Sequence, residues 1–246
     1  MMKRILLLLV CAVVLASLFS CAGGGNGGND GFFDEDGVWY ITSEDGTHAI
    51  ITGCDASVTE VVILSEVGGL PVTEMAASAF AGRSELVSVH IPASVSTVGE
   101  GVFADCTSLV SITVDEESEH FKCVDGLLIS TGDTQYVVHY AIGRADATVT
   151  IPYGVEFVGR SAFMGCSALE SVVIPHSMST VPTDAFDGCD NFTTVYYTWG
   201  ISAWNQTLAD DSIFYDLEVY FYSETAPEEE GNFWHYDGNG NIAVWE

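Results

Sequence analysis

The sequence predicts a mainly β solenoid, in which one short strand per copy stacks on the next to form a curved parallel sheet. Three observations carry this expectation. One phrase is spelled four times around Phe80, Phe103, Phe163 and Phe186, at spacings of 23, 60 and 23 residues. The same offsets are apolar in every copy: Val72, Val95, Val155 and Met178 eight before; Met75, Val98, Val158 and Val181 five before; Leu86, Leu109, Leu169 and Phe192 six after. Each copy then closes in a short alternating run such as "SVVIP", where Val172 and Ile174 share one face and Ser171 and Val173 the other, and where Pro175 helps end the strand.

Taken in order, the chain begins with a targeting segment. Lys3 and Arg4 precede an apolar run from Ile5 to Leu18 that is short for a membrane span, and residues 1–20 are read as a signal peptide. It ends in "LFSC", which resembles a bacterial lipobox and implies lipidation of Cys21; an ordinary cleaved signal peptide is the alternative. Residues 21–31 hold the cysteine and a Gly/Asn-rich stretch with nothing to bury, read as a flexible tether. Residues 32–70 are expected to form an N-terminal β cap, in which "EVVIL" at 60–64 supplies an early strand.

The repeats occupy 71–197. A single copy cannot cover its own apolar face, whereas stacking at about 4.8 Å per strand turns separate side chains into continuous ladders. A period between 20 and 29 residues with one strand per copy is the leucine-rich-repeat signature. The gap of sixty is explained by an insertion at about 117–147, "FKCVDGLLISTGDTQYVVHY", whose apolar strands flank a turn and predict a β-hairpin standing out from the sheet. The period resumes at "ATVTIP", with Val149 and Ile151 at the strand offsets of an unwritten copy. About six short strands are therefore expected. Residues 198–246, crowded with aromatics from Trp199 to Trp245, are expected to cap the open end.

These units, "VTEMAASAFAGRSELVSVHIP" and its three counterparts, resemble the treponemal-type, BspA-like leucine-rich repeats of bacterial surface proteins. The flanks "DGTHAIITGCDASVTEVVILSEVGGLPVTEM" and "SETAPEEEGNFWHYDGNGNIAVW" resemble opening and closing segments of such proteins. The resemblance implies a cell-envelope lipoprotein, exposed at the surface, that binds a protein on a host or neighbouring cell.

Charge and composition narrow the alternatives. All 35 acidic residues lie beyond Cys21, against only Arg83, Lys122, Arg144 and Arg160, which disfavours nucleic acid and anionic membrane surfaces as partners. The membrane is expected to be reached through the N-terminal lipid alone. No HExxH, G-x-S-x-G, kinase or dinucleotide fingerprint occurs, so no enzymatic activity, catalytic residue or cofactor is expected. The histidines are scattered, no C-x-x-C is present, and no metal site is expected. Cys106, Cys166 and Cys189 each lie three after their phenylalanine, a packing position; a disulfide between Cys166 and Cys189 is the alternative.

The binding face follows from strand alternation. With the nine-after and eleven-after residues inward, Ser88, Ser111, Ser171 and Thr194 form one outward row, and His90, Thr113, Val173 and Tyr196 another, all expected to be exposed. Carbohydrate stacking on the aromatic C-terminal segment is the competing use of this chain.

The anchor is tested directly. The wild type is expected to partition into detergent and to incorporate labelled fatty acid, and Cys21→Ser to do neither, since the acyl chains supply the membrane affinity. Equal partitioning of the two proteins would remove Cys21 as the anchor.

Overall fold

The computed structural model describes residues 31–208, 212–228 and 230–245. The leader, Cys21 and nearly all of the tether lie outside the described residues. The predicted class holds: the chain is a mainly β solenoid of stacked parallel strands. Before the insertion, Glu60–Val62, Ser88–Ile91 and Ser111–Val114 pair in parallel, with Val61 beside Val89 and Val89 beside Ile112. After it, Thr148–Thr150, Ser171–Ile174, Thr194–Tyr197, Glu218–Tyr222 and Phe233–Tyr236 continue in parallel, and antiparallel Ile242–Val244 closes the edge. The strands thus fall into two sheets parted by the insertion, and the aromatic C-terminal segment adds two further parallel strands as it caps the end.

The opposite wall is built from the eight-before to five-before segments. Leu70–Met75 lies between Ala49–Cys54 and Thr97–Val98, and the antiparallel strands Phe32–Phe33, Val38–Thr42 and Ala49–Cys54 cover the N-terminal end.

Between the two walls runs the aromatic column foreshadowed by the sequence. Phe80 stacks on Phe103 at 5.5 Å, and Phe163 on Phe186 at 4.8 Å. The loops carrying the rings are bonded turn to turn: Phe80 N–H donates to the Val102 carbonyl and Phe163 N–H to that of Ala185, both at 2.9 Å. Gly82, Gly165 and Gly188, two after their phenylalanines, sit at φ of 71°, 81° and 76°, which an L side chain rarely adopts. The cysteines do more than fill space. Cys106 Sγ donates to the Phe80 carbonyl at 3.0 Å and Cys189 Sγ to that of Phe163 at 3.1 Å, each bridging to the turn before. Cys166 and Cys189 are free thiols, so the disulfide alternative is not realised.

The insertion differs from expectation. Its strands Phe121–Val124, Leu127–Ser130 and Gln135–Tyr140 form an antiparallel sheet, and the last pairs in parallel with Val155–Val158. Every residue of Leu127–Ser130 is buried, so the hairpin does not stand out. Its residues are apolar at both parities, and so need cover on both faces. Leu128, Val138 and Ala141 pack with the N-terminal core; Leu127, Ile129, Val137 and Tyr140 pack with the C-terminal one. The insertion is a septum shared by two half-cores.

Tyr140 also completes the unwritten copy. It lies 23 residues before Phe163, stacks on it at 5.5 Å, and its N–H donates to the Ala162 carbonyl at 2.9 Å. Its hydroxyl donates to Asp146 Oδ2 at 2.6 Å, where the other copies carry an apolar residue; a buried phenol needs an acceptor, and Asp146 supplies it. This bond, with help from Arg144, holds the Asp146 carboxyl below the usual range.

Next to Tyr140 the septum encloses His139, fully buried and edge-on to Phe103 at 5.6 Å. Neither ring nitrogen has a partner of hydrogen-bond geometry. Loss of water pushes its pKa down from 6.5 to about 4, the Phe103 backbone opposing this only in part.

Two outcomes test this packing. Phe163→Ala, which removes a ring stacked on both sides, is expected to cost about 3 to 5 kcal/mol, and Phe233→Ala in the half-buried closing strand to cost less, by denaturant titration. The reverse order would misplace the core. The buried neutral His139 binds fewer protons than its unfolded counterpart between pH 6.5 and about 4, so stability declines as pH falls through that window. By this route stability is expected to drop by about 2 kcal/mol between pH 7 and pH 5. His139→Phe is expected to flatten that dependence; an unchanged slope would mean the imidazole stays hydrated.

Candidate functional site

Because the inward side chains are consumed by the core, the outward face of the strands is what the solenoid presents. Ser88, His90, Ser111, Thr113, Thr194 and Tyr196 are all at least partly accessible there. Ser171 and Val173 are not, at 6% and 1% exposure, which corrects their expected exposure. Ser171 Oγ is bonded to Thr148 Oγ1 at 2.8 Å, and Val173 sits in register between Thr150 and the large Tyr196 ring on the same face. A side chain beside a large ring on a parallel sheet loses its water even on the open side.

In the N-terminal half this face carries a polar line. His90 Nδ1 lies 3.0 Å from Thr113 Oγ1, and His90 Nε2 lies 3.0 Å from Asp115 Oδ1. The second Asp115 oxygen accepts the Ala93 N–H at 3.0 Å, which fixes the carboxylate. A hydroxyl, an imidazole and a carboxylate in sequence could in principle move a proton. Here His90 and Asp115 are more than one-third exposed, without the dry enclosure that makes such an arrangement catalytic, and its evident effect is to hold His90 in one orientation.

The C-terminal half is aromatic. Trp234 is fully buried on the outer side, its indole N–H donating to the Tyr197 carbonyl at 3.0 Å. Around it stand Tyr236 at 5.0 Å, Tyr222 at 5.2 Å and Tyr196 at 5.5 Å, and Tyr220 extends the group 5.5 Å from Tyr196. The tyrosines keep part of their surface in water. Partial burial pushes the Tyr196, Tyr220 and Tyr236 hydroxyls up, and the Glu218 carboxylate adds to this for the first two. They are neutral donors at ordinary pH. Tyr220 Oη donates to Glu218 Oε2 at 3.3 Å, setting a carboxylate beside the rings.

Glu218, Tyr220, Tyr222 and Trp234 went unread as part of this face because the period breaks after Tyr197. Glu218 lies 24 residues after Thr194, and Trp234 only 12 after its partner Tyr222. The alternation in "LEVYFY" is the signal that places them.

A second aromatic row, also unread, lies where the strands end. Tyr153, His176 and Trp199 recur every 23 residues and overlap at 5.0 and 4.6 Å, with Tyr153 74% and Trp199 55% exposed. On the far wall, a cleft of about 460 Å³ opens between Val98 and the stacked pair Tyr136–Phe157. Among the described residues no three His, Cys, Asp or Glu side chains converge as a metal site.

Each arginine and lysine among the described residues has a close neighbour. Arg144 pairs with Asp146 at 2.8 Å, Arg160 with Asp184 at 2.9 Å, Lys122 bonds Gln135 at 3.0 Å, and Arg83 lies 5.8 Å from the Trp39 ring centre.

Comparison with known proteins bears on the repeats. The BspA type leucine rich repeat region matches residues 57–123 and 146–215 in six copies. Among solved structures, a leucine rich repeat protein of T. pallidum is 29% identical, over 66% of this chain and 70% of that one, with a TM-score of 0.43. A leucine-rich repeat protein of Bacteroides ovatus is 21% identical over 67% of this chain and 46% of its own length, with a TM-score of 0.45. A leucine rich cell surface protein of Faecalibacterium prausnitzii is 15% identical over 74% and 98%, with a TM-score of 0.27. A comparison with curated proteins finds no match. With the family's repeats spanning more than half of its length, this chain belongs to the BspA-type leucine-rich-repeat proteins.

Proposed function

We propose that the chain is a bacterial surface lipoprotein, held through Cys21, whose open sheet face binds a protein on a host or neighbouring cell. The observation that carries this reading is the cluster of partly exposed tyrosines around buried Trp234. Rigid tyrosines on a packed platform match the aromatic enrichment of protein-binding hot spots. The polar line of His90, Thr113 and Asp115 lies on the outward side of the N-terminal sheet, across the insertion. Membership of the repeat family and the leader sequence are in keeping with an envelope location. The competing reading, capture of a glycan, draws on the exposed row of Tyr153, His176 and Trp199, since sugar faces stack on accessible rings.

The two readings separate experimentally. A panel of extracellular-matrix proteins and a glycan array would be probed with the wild type, a Thr113→Glu/Tyr220→Ala variant and Trp199→Ala. The proposal expects the first variant to melt within a few degrees of wild type and to lose protein binding by about tenfold or more, with Trp199→Ala unchanged. Glycan binding lost in Trp199→Ala would favour the second reading, and unaltered protein binding by the folded double variant would remove the open face as the site.

A further inference from the structure

We infer that the partner segment seated on the tyrosine face is arginine-rich; this rests on the open face being the binding site. Charge is the first argument. The chain holds 35 acidic against 6 basic residues, and the four basic residues beyond Cys21 each have a neighbour of their own, in two ion pairs, a hydrogen bond and a ring contact. The open face therefore presents the carboxylates of Glu60, at its N-terminal end, and Glu218, within the tyrosine cluster, while Asp115 at the strand ends is already paired with His90. An acidic partner would be repelled, and a neutral one would gain nothing from the field that surrounds this chain.

Ring chemistry selects arginine over lysine. Tyr196 and Tyr220 are tilted against each other at 36°, and Tyr220 is bonded to Glu218, so an aromatic surface and a carboxylate adjoin. A guanidinium can lie on the ring, donate two parallel N–H bonds to the carboxylate and use the phenol oxygens as further acceptors. An ammonium is a compact, strongly hydrated charge that meets the carboxylate but fits the ring poorly.

The test uses the full chain in detergent and two synthetic nonapeptides of equal charge, one of arginine and one of lysine in a glycine-serine background, titrated by calorimetry at low and high salt. The inference expects the arginine peptide to bind roughly threefold to tenfold more tightly than the lysine peptide, and both to weaken with salt. Glu218→Gln and Tyr220→Leu are each expected to weaken the arginine peptide by about threefold to fivefold, while Glu60→Gln, at the far end, has little effect. Equal affinity for the two peptides, or binding indifferent to Glu218 and Tyr220, would overturn the arginine inference. If matrix-protein binding nonetheless fails in Tyr220→Ala, the face remains the site and only the partner chemistry is wrong. If neither peptides nor proteins respond to Tyr220, the reading of the face falls as well.

Discussion

No copy in this chain can cover its own apolar face, and every other feature follows from the need of each turn to sit in register on the next. Two sets of contacts enforce the register. Rings overlap at 4.8 to 5.5 Å along the column of Phe80 and Phe103, and again along Tyr140, Phe163 and Phe186. Backbone donors of each ring loop reach carbonyls one turn on, and the thiols of Cys106 and Cys189 reach back one turn. Since buried amides and carbonyls left unpaired cost more than a bond contributes, a slip of one residue would be penalised at every rung.

This constraint explains how an insertion is absorbed without splitting the protein. The septum from Phe121 to Tyr140 returns the chain to register through Tyr140, whose ring and N–H occupy the places of a phenylalanine. Its opposite parities feed both half-cores, and the turn at Gly143 continues the ladder by donating to the Leu109 carbonyl at 2.8 Å. A Cβ at Gly143 would meet the Ser108 backbone at 2.5 Å, so the place of the repeat's cysteine can hold only glycine. The same constraint frees one face. With inward positions fixed by stacking, the outward rows vary from His90 and Thr113 at one end to Tyr196 and Tyr220 at the other, and recognition can be written there without disturbing the core.

Much of this was legible in advance. The period placed the rings, the inward strand residues and the packing cysteines, because each recurs at a fixed offset. Tyr140 was hidden because the phrase was anchored on phenylalanine and the intervening text was longer. The burial of Val173 was hidden for a different reason: it depends on Tyr196 beside it, a contact set by register across strands rather than by alternation along one. The double-faced septum could have been suspected from "LLI" and "YVV", where apolar residues follow one another instead of alternating. The row of Tyr153, His176 and Trp199 keeps the 23-residue period, yet it counts from Tyr140 and so escaped with it.

The central claim is that the septum, packed into both half-cores, makes them a single cooperative unit. Native-state hydrogen exchange on Tyr140→Ala tests it most directly, reading amides of Val89 and Ile112 on one side and Val172 and Val195 on the other. The account predicts that protection falls on both sides by the same opening free energy, as in a unit that opens as a whole. Loss of protection confined to Val172 and Val195, with Val89 and Ile112 unchanged, would contradict it.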